Sequence, residues 1–349
     1  MQEIRQTESK GSVIGVLSEM DLKIEETEIE VEVNGNKSKK KCNHVVGSFS
    51  IETDNGTFKF FAPRFANELK KDGTKNKSYD SWVTVINEYV SKLDVAKNGG
   101  DATRVKLGVG FNSYDRFDDK SNQVVHNCGF TSGFMSRVSD EVESSTDIQI
   151  EGVIKNIRPE MKDDEETGKL LVDFITVGYG DKEVGQIANV DTFVVEEDIA
   201  DAFVNGYFDE ILGENIRGYQ VGDTCTLNCE IKMEHIGGET KPTGGLGRKA
   251  KVKSGYDKMS IVVFGGEKPL NLDEELNKDK IYSVETVKGL LNERQIYIDS
   301  LPSKAKAKAN GNSGGTKTSG GLGNRKPQVN NSDNPFGGDT SANPFMWCN

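Results

Sequence analysis

Two stretches of this chain carry the same order of elements: three strands, a helix, then two strands. That order restricts the fold more than any other feature of the sequence. In the first stretch, residues 12–33 end in a strict alternation, with Ile29, Val31 and Val33 apolar and Glu28, Glu30 and Glu32 polar. A period of two buries one face of a strand and wets the other. Asn34-Gly35 followed by KSKKK reads as a turn with a charged tip. Residues 45–51 and 57–62 supply the next two strands, a hairpin across Asp54-Asn55-Gly56. Residues 65–97 read mainly as helix, capped at Asp80 or Ser81, with Trp82, Val85, Ile86, Tyr89 and Leu93 at helical spacing. Asn98-Gly99-Gly100 stops it. Strands over 103–114 and 124–138 close the unit.

An acidic, serine-rich segment, SDEVESSTD at 139–147, leads into the second stretch. Ile148, Ile150, Gly152 and Ile154 share one face of its first strand, Glu151 and Lys155 the other. A charged turn at 162–168, strands at 170–177 and 192–195, an acidic helix over 196–207 and strands at 224–236 and 259–264 follow. Cys225, Leu227, Cys229, Ile231 and Met233 share one parity, so the two cysteines read as buried apolar groups rather than ligands. His44, His126 and His235 form no HxH or HxxxH pair, and no metal site is assigned. Ser283 caps a last helix with Glu285 in its first turn and Val287, Leu290, Leu291 and Ile298 on its apolar side.

A helix between the third and fourth of five strands is the order of the OB-fold, a partly open barrel. The expected fold is mainly β with short helices (α+β): two tandem OB-fold-like five-stranded barrels plus a disordered C-terminal tail. The expected boundaries are a loose leader over 1–11, a first barrel over 12–140 and an acidic linker over 141–147. The second barrel with its C-terminal helix covers 148–300, and the tail 301–349 is Lys-, Gly-, Ser- and Asn-rich. No apolar run approaches the roughly 18 residues a membrane span needs, which points to a soluble, cytoplasmic protein with no membrane partner.

The formal net charge is -12, and it is unevenly placed. Residues 141–300 hold 33 acidic and 18 basic residues, and against that background 237–258 is an anomaly, with six cations and two acids. This Gly-rich stretch falls between the fourth and fifth strands of the second barrel, a loop that OB-folds use to hold oligonucleotides. Its candidates are Lys241, Arg248, Lys249, Lys251, Lys253, Tyr256 and Lys258. In the first barrel, Val105, Leu107, Val109 and Phe111 form the core face of the fourth strand. Arg104, Lys106, Gly108, Gly110, Asn112 and Tyr114 form the other, where two glycines leave room for a nucleic-acid backbone. Arg104, Lys106, Tyr114, Phe58, Phe60, Phe61 and Arg137 are its candidates. Phe58 and Phe60 share one parity and Phe61 the other, so part of that set belongs to the core.

TRVKLGVGFNSYD (103–115), IEGVIKNIRPEMKDDEETGKLLVDFITVGY (150–179), VVEEDIADAF (194–203) with YQVGDTCTLNCEI (219–231), and AKVKSGYDKMSIVVFGG (250–266) carry a resemblance. Over about residues 12–300 the chain resembles the tandem OB-fold single-stranded DNA-binding proteins of tailed bacteriophages and related mobile elements. The resemblance implies a protein that coats single-stranded DNA in phage-type replication or recombination. The chain departs from the better-known bacterial single-stranded-DNA-binding protein, whose tail is acidic and ends in Pro-Phe, because this tail is net basic and continues past Pro344-Phe345. Two Asn-Pro-Phe copies, Asn334-Pro335-Phe336 and Asn343-Pro344-Phe345, and Trp347 are candidate anchors for replication or recombination proteins.

Catalysis is not expected, nor a cofactor: there is no GxxxxGK[ST] loop and no Ser/His/Asp spacing. Asp163-Asp164-Glu165-Glu166 reads as solvated charge in a turn. The competing reading is a virion or tail component that uses OB-like modules for protein contacts, suited to the acidic second unit.

Overall fold

The computed structural model describes residues 4–181, 183–236 and 256–311, with backbone alone at 234–236, 256 and 308–311. The first half contains β1 (Ser9–Val33), β2 (Asn36–Thr53), β3 (Gly56–Phe61), α1 (Lys77–Glu88), α2 (Lys92–Asn98), β4 (Arg104–Asp118) and β5 (Gln123–Arg137). The second contains β6 (Ser145–Lys162), β7 (Glu165–Tyr179), β8 (Gln186–Val195), α3 (Glu197–Asn205), the small hairpin β9 (Tyr207–Asp209) and β10 (Glu214–Ile216), β11 (Thr224–Ile236) and β12 (Tyr256–Gly266). A 3-10 turn at Leu270–Asp273, α4 (Glu274–Asn277) and α5 (Val284–Gly311) follow.

The second half closes on itself. β6 pairs with β7, β7 with β8, β12 with β11 and β11 with β6, all antiparallel, and a short parallel seam joins β8 to β12 at Val194↔Val262 and Val195↔Val263. This five-strand circuit, with α3 between its third and fourth strands, is the OB arrangement. In the first half β1 pairs with β2 and β4, β2 with β3, and β4 with β5. No ladder joins β3 to β5 among the described residues; the Ser132 hydroxyl donates to the Phe61 carbonyl across that gap instead. The first barrel is therefore partly open, as this fold allows.

The barrels share a seam. The first strand of one runs antiparallel to the first strand of the other, from Ser9↔Ile150 to Ile14↔Ser145. Gly11 makes that approach possible, since a methyl group there would collide with the Asp147 carbonyl and Ile148. One continuous core runs through the seam, from Phe49, Phe60 and Trp82 in the first barrel to Phe174, Phe193 and Leu227 in the second. Trp82 lies on the buried face of α1, 5.5 Å from the Phe49 ring. Cys225 and Cys229 are buried on the inner face of β11, as their parity predicts, and burial raises both thiols.

Helix boundaries differ from expectation at three places. The helix expected over 65–97 is broken at residues 89–91, where the Ser91 side chain caps α2 by accepting from the Asp94 amide. Residues 62–76 are not helical: a turn at Asp72-Gly73 folds Leu69 back to bridge Lys75, and α1 begins only after Asn76, whose side chain accepts from the Ser78 amide at 3.1 Å. Asp-Gly is a turn signal, and Asn caps as well as Asp or Ser, so Asn76 takes the position and Asp80 and Ser81 fall inside the helix. At the other end α5 runs past Leu301 and through Pro302 to Gly311, into residues expected to begin the tail. Beyond the barrel, β1 and β2 continue as an arm. Lys37, Lys39 and Lys41 pair with Glu30, Glu28 and Glu26 at 3.1, 3.3 and 2.7 Å, so its charged tip is largely neutralised. No helix among the described residues is long and apolar enough to cross a membrane.

Candidate nucleic-acid interface

The outward face of β4 starts with Arg104, exposed Lys106, Gly108 and Gly110. Beside it β5 contains a bulge: the register steps from Leu107↔Met135 to Val109↔Ser132. A bulge moves the side chains that follow it to the opposite face. Cys128, Phe130 and Ser132 point inward, so parity alone would bury Phe134 with them. The bulge turns Phe134 out, where it is 60% exposed, and seats Met135 inside. The Phe134 ring lies 5.6 Å from that of Phe65, on the loop after β3. Phe65 and Phe61 are each 41% exposed. Arg64, between them in sequence, is also exposed. Gly108 and Gly133 flank Phe134 and place no side chain in the way.

The candidates from sequence fall into four groups. Phe58 and Phe60 are core residues, buried against Phe49 and the rest of the first barrel, which removes them from any binding face; Phe61 is the exposed member of that set. Lys106 is exposed on the glycine-bearing face, and Tyr114 stands farther along β4, beside a cleft. Arg104 and Arg137 have structural partners: Arg104 Nε donates to the Val142 carbonyl at 2.8 Å, and Arg137 covers the Tyr89 ring at 4.7 Å while donating to the Glu88 carbonyl. Lys258 lies half-buried on β12, opposite Glu234 in the register, and Tyr256 begins that strand. Lys241, Arg248, Lys249, Lys251 and Lys253, and the tail residues Asn334, Pro335, Phe336, Asn343, Pro344, Phe345 and Trp347, lie outside the described residues.

Sequence reading missed Phe65, which sat in a presumed helix, and Phe134. The Gly133 just before Phe134 was the available signal, since an isolated glycine in a strand often marks a bulge. It also missed a buried polar network farther along β4 and β5. His126 Nδ1 lies 2.7 Å from Asp115 Oδ1, and its Nε2 lies 3.0 Å from Asp191 Oδ1 on β8. Burial works against charge on His126, but the hydrogen bonds and charges of Asp115 and Asp191 outweigh it and push the imidazole up to about 9. Burial likewise works against the Asp115 carboxylate, and the bonds from Arg294 and His126 bring it down to about 2. No group of His, Cys, Asp and Glu side chains suited to a metal ion occurs among the described residues.

The fold and this surface define a class: a tandem OB-type barrel protein with an exposed aromatic cluster on its first barrel. The chain belongs to the YorF family, whose profile matches residues 18–303. Among solved structures, it is similar to the wild-type single-stranded DNA binding protein from Thermus aquaticus at 6% identity, covering 76% of this chain and 92% of that chain with a TM-score of 0.31. A deletion mutant of that protein gives 7% identity, 76% and 95% coverage and a TM-score of 0.35. No curated protein matches the chain.

Proposed function

We propose that this protein binds and coats single-stranded DNA without catalysing a reaction. The observation that carries the reading is the exposed ring pair of Phe65 and Phe134, beside the open glycine face of β4 and Lys106, with exposed Phe61 at the end of the neighbouring strand β3. Aromatic faces stack on bases at about 1–3 kcal/mol per base whatever the sequence, and lysines along the groove neutralise phosphates. Large exposed aromatics in contact with one another are costly to leave in water, so a ligand with flat apolar faces suits them.

The same reading assigns the remaining parts. The cations of 237–258 form an electrostatic clamp from the second barrel, and the two Asn-Pro-Phe segments recruit replication or recombination proteins. The setting is phage-type replication in the cytoplasm of a bacterial host. Fluorescence anisotropy with oligo-dT and matched duplex across a salt series is the test: binding to the single strand at low salt is expected, and its absence would reject the proposal.

One observation favours a role in protein contacts as well. The turn between β9 and β10 holds Ile211 at 96% exposure, with Phe208 and Leu212 also exposed, on the acidic half of the molecule. DNA-independent, salt-insensitive association in sedimentation would support that second reading.

A further inference from the structure

Beyond Val109, β4 leaves β1 and pairs only with β5 among the described residues. The gap between that edge and β7 is a cleft of about 260 Å³, walled by residues 6–9, by Phe111 to Tyr114 and by Thr176 to Tyr179, with Asn189 of β8 at its side. We infer that this cleft holds a single nucleobase, an inference that rests on the DNA-binding reading and extends it.

Three observations carry it. The first is an unanswered acceptor. Asn189 is 2% exposed, and its Nδ2 donates to the Ser113 carbonyl at 2.8 Å. A carbonyl only accepts, so that bond fixes which end of the amide is which. Asn189 Oδ1 is left buried without a partner. A buried acceptor in that state carries its desolvation cost uncompensated, which a ligand N–H would offset. Asn189 lines the cleft, and a side-chain amide carries the acceptor-donor pair that asparagine uses on adenine.

The second is charge. No lysine or arginine lines the cleft, and Glu8 is its one carboxylate. A phosphate would find no partner there; a neutral ring with N–H donors would. The third is shape. The volume lies just under the roughly 300 Å³ at which drug-sized sites begin, so it suits one ring system rather than a whole nucleotide. Gly178 keeps it open, because a Cβ there would stand 3.3 Å from Asn189 Nδ2. Tyr179, 57% exposed, and Tyr114 supply aromatic faces at the mouth. Along β4, Tyr114 is six residues from Gly108, about 20 Å at 3.3 Å per residue, so one strand connects the cleft to the Phe134 cluster.

The test uses the full chain and an oligo-dA strand in which single abasic residues replace bases one position at a time. One position should lose about tenfold in affinity beyond its neighbours, as loss of a stacked and hydrogen-bonded base requires. In Gly178→Val and in the surface variant Tyr179→Ala that positional loss should vanish while oligo-dT binding persists. Uniform losses along the wild-type complex, or a positional loss unchanged in both variants, would overturn the inference and leave the DNA-binding reading standing. Titrating adenosine alone, read at the Asn189 side-chain amide by NMR, separates the sources. A shift there without any oligonucleotide binding would keep the cleft as a nucleoside site and reject the DNA reading. No shift together with no oligonucleotide binding would reject both.

Discussion

Arg294, on the C-terminal helix, grips Asp115 of the first barrel with two bonds, Nε to Oδ2 at 2.7 Å and Nη2 to Oδ1 at 2.9 Å. The two residues are 179 positions apart in sequence. Asp115 in turn faces His126, which faces Asp191, so one chain of charges joins β4, β5, β8 and α5. An isolated buried charge is expensive; here the two carboxylates offset it, while Arg294 Nη2 also stands 3.0 Å from His126 Nδ1, cation beside imidazole.

The network makes stability depend on pH. His126 has a folded pKa raised from 6.5 to about 9. Its contribution is therefore fully present below about pH 6.5 and is lost as pH rises toward 9, because the unfolded chain releases that proton first. Asp115, lowered from 3.8 to about 2, contributes above pH 4 and loses its share as pH falls toward 2. The midpoint of urea unfolding should fall between pH 6.5 and 9, by an amount corresponding to roughly 3 kcal/mol. The His126→Gln variant should lack this slope. A wild-type profile as flat as the variant's would show that His126 is not charged in the folded protein.

Phe134→Ala and Phe65→Ala should weaken oligo-dT binding by about 1–3 kcal/mol each with little change in melting temperature. Phe58→Ala and Phe60→Ala should do the reverse, destabilising the fold by about 3–5 kcal/mol through a core cavity. Anisotropy and thermal melts on the four variants separate the two classes.

Neutralising Arg248, Lys249, Lys251 and Lys253 together should reduce the salt dependence of binding. At about 0.7 per phosphate contact, the slope of log K against log salt should become shallower by about 3. An unchanged slope would exclude these cations from the contact while leaving the aromatic surface untouched.

Gly11→Val should open the seam between the barrels, since its side chain meets the Asp147 carbonyl and Ile148. The single unfolding transition expected of a shared core should then separate into two in calorimetry. A variant that melts as one unit at the wild-type temperature would refute this account of the seam.

What sequence could show followed from periodicity. The strands and the closed second barrel were legible because apolar alternation such as Cys225, Leu227, Cys229 and Ile231 has one structural meaning. Parity also warned that Phe58 and Phe60 could not share a face with Phe61. It failed at Phe134, because one extra residue in β5 inverts every assignment beyond it. The helix read over 65–97 failed at 65–76, where the Asp72-Gly73 turn and the Asn76 cap intervene and the apolar helical spacing begins only near Trp82. Asp115, His126, Asp191 and Arg294 carry no local pattern; only the folded topology makes them neighbours, and the same holds for Asn189 and Tyr114 at the cleft.

The pairing of β1 with β6 sets a length scale. Its hydrogen-bond register, not the seven residues of the segment between the barrels, determines how far one barrel stands from the other. On the proposed reading, the two barrels therefore meet a bound strand at one fixed spacing. Lengthening the connecting segment would leave that spacing unchanged.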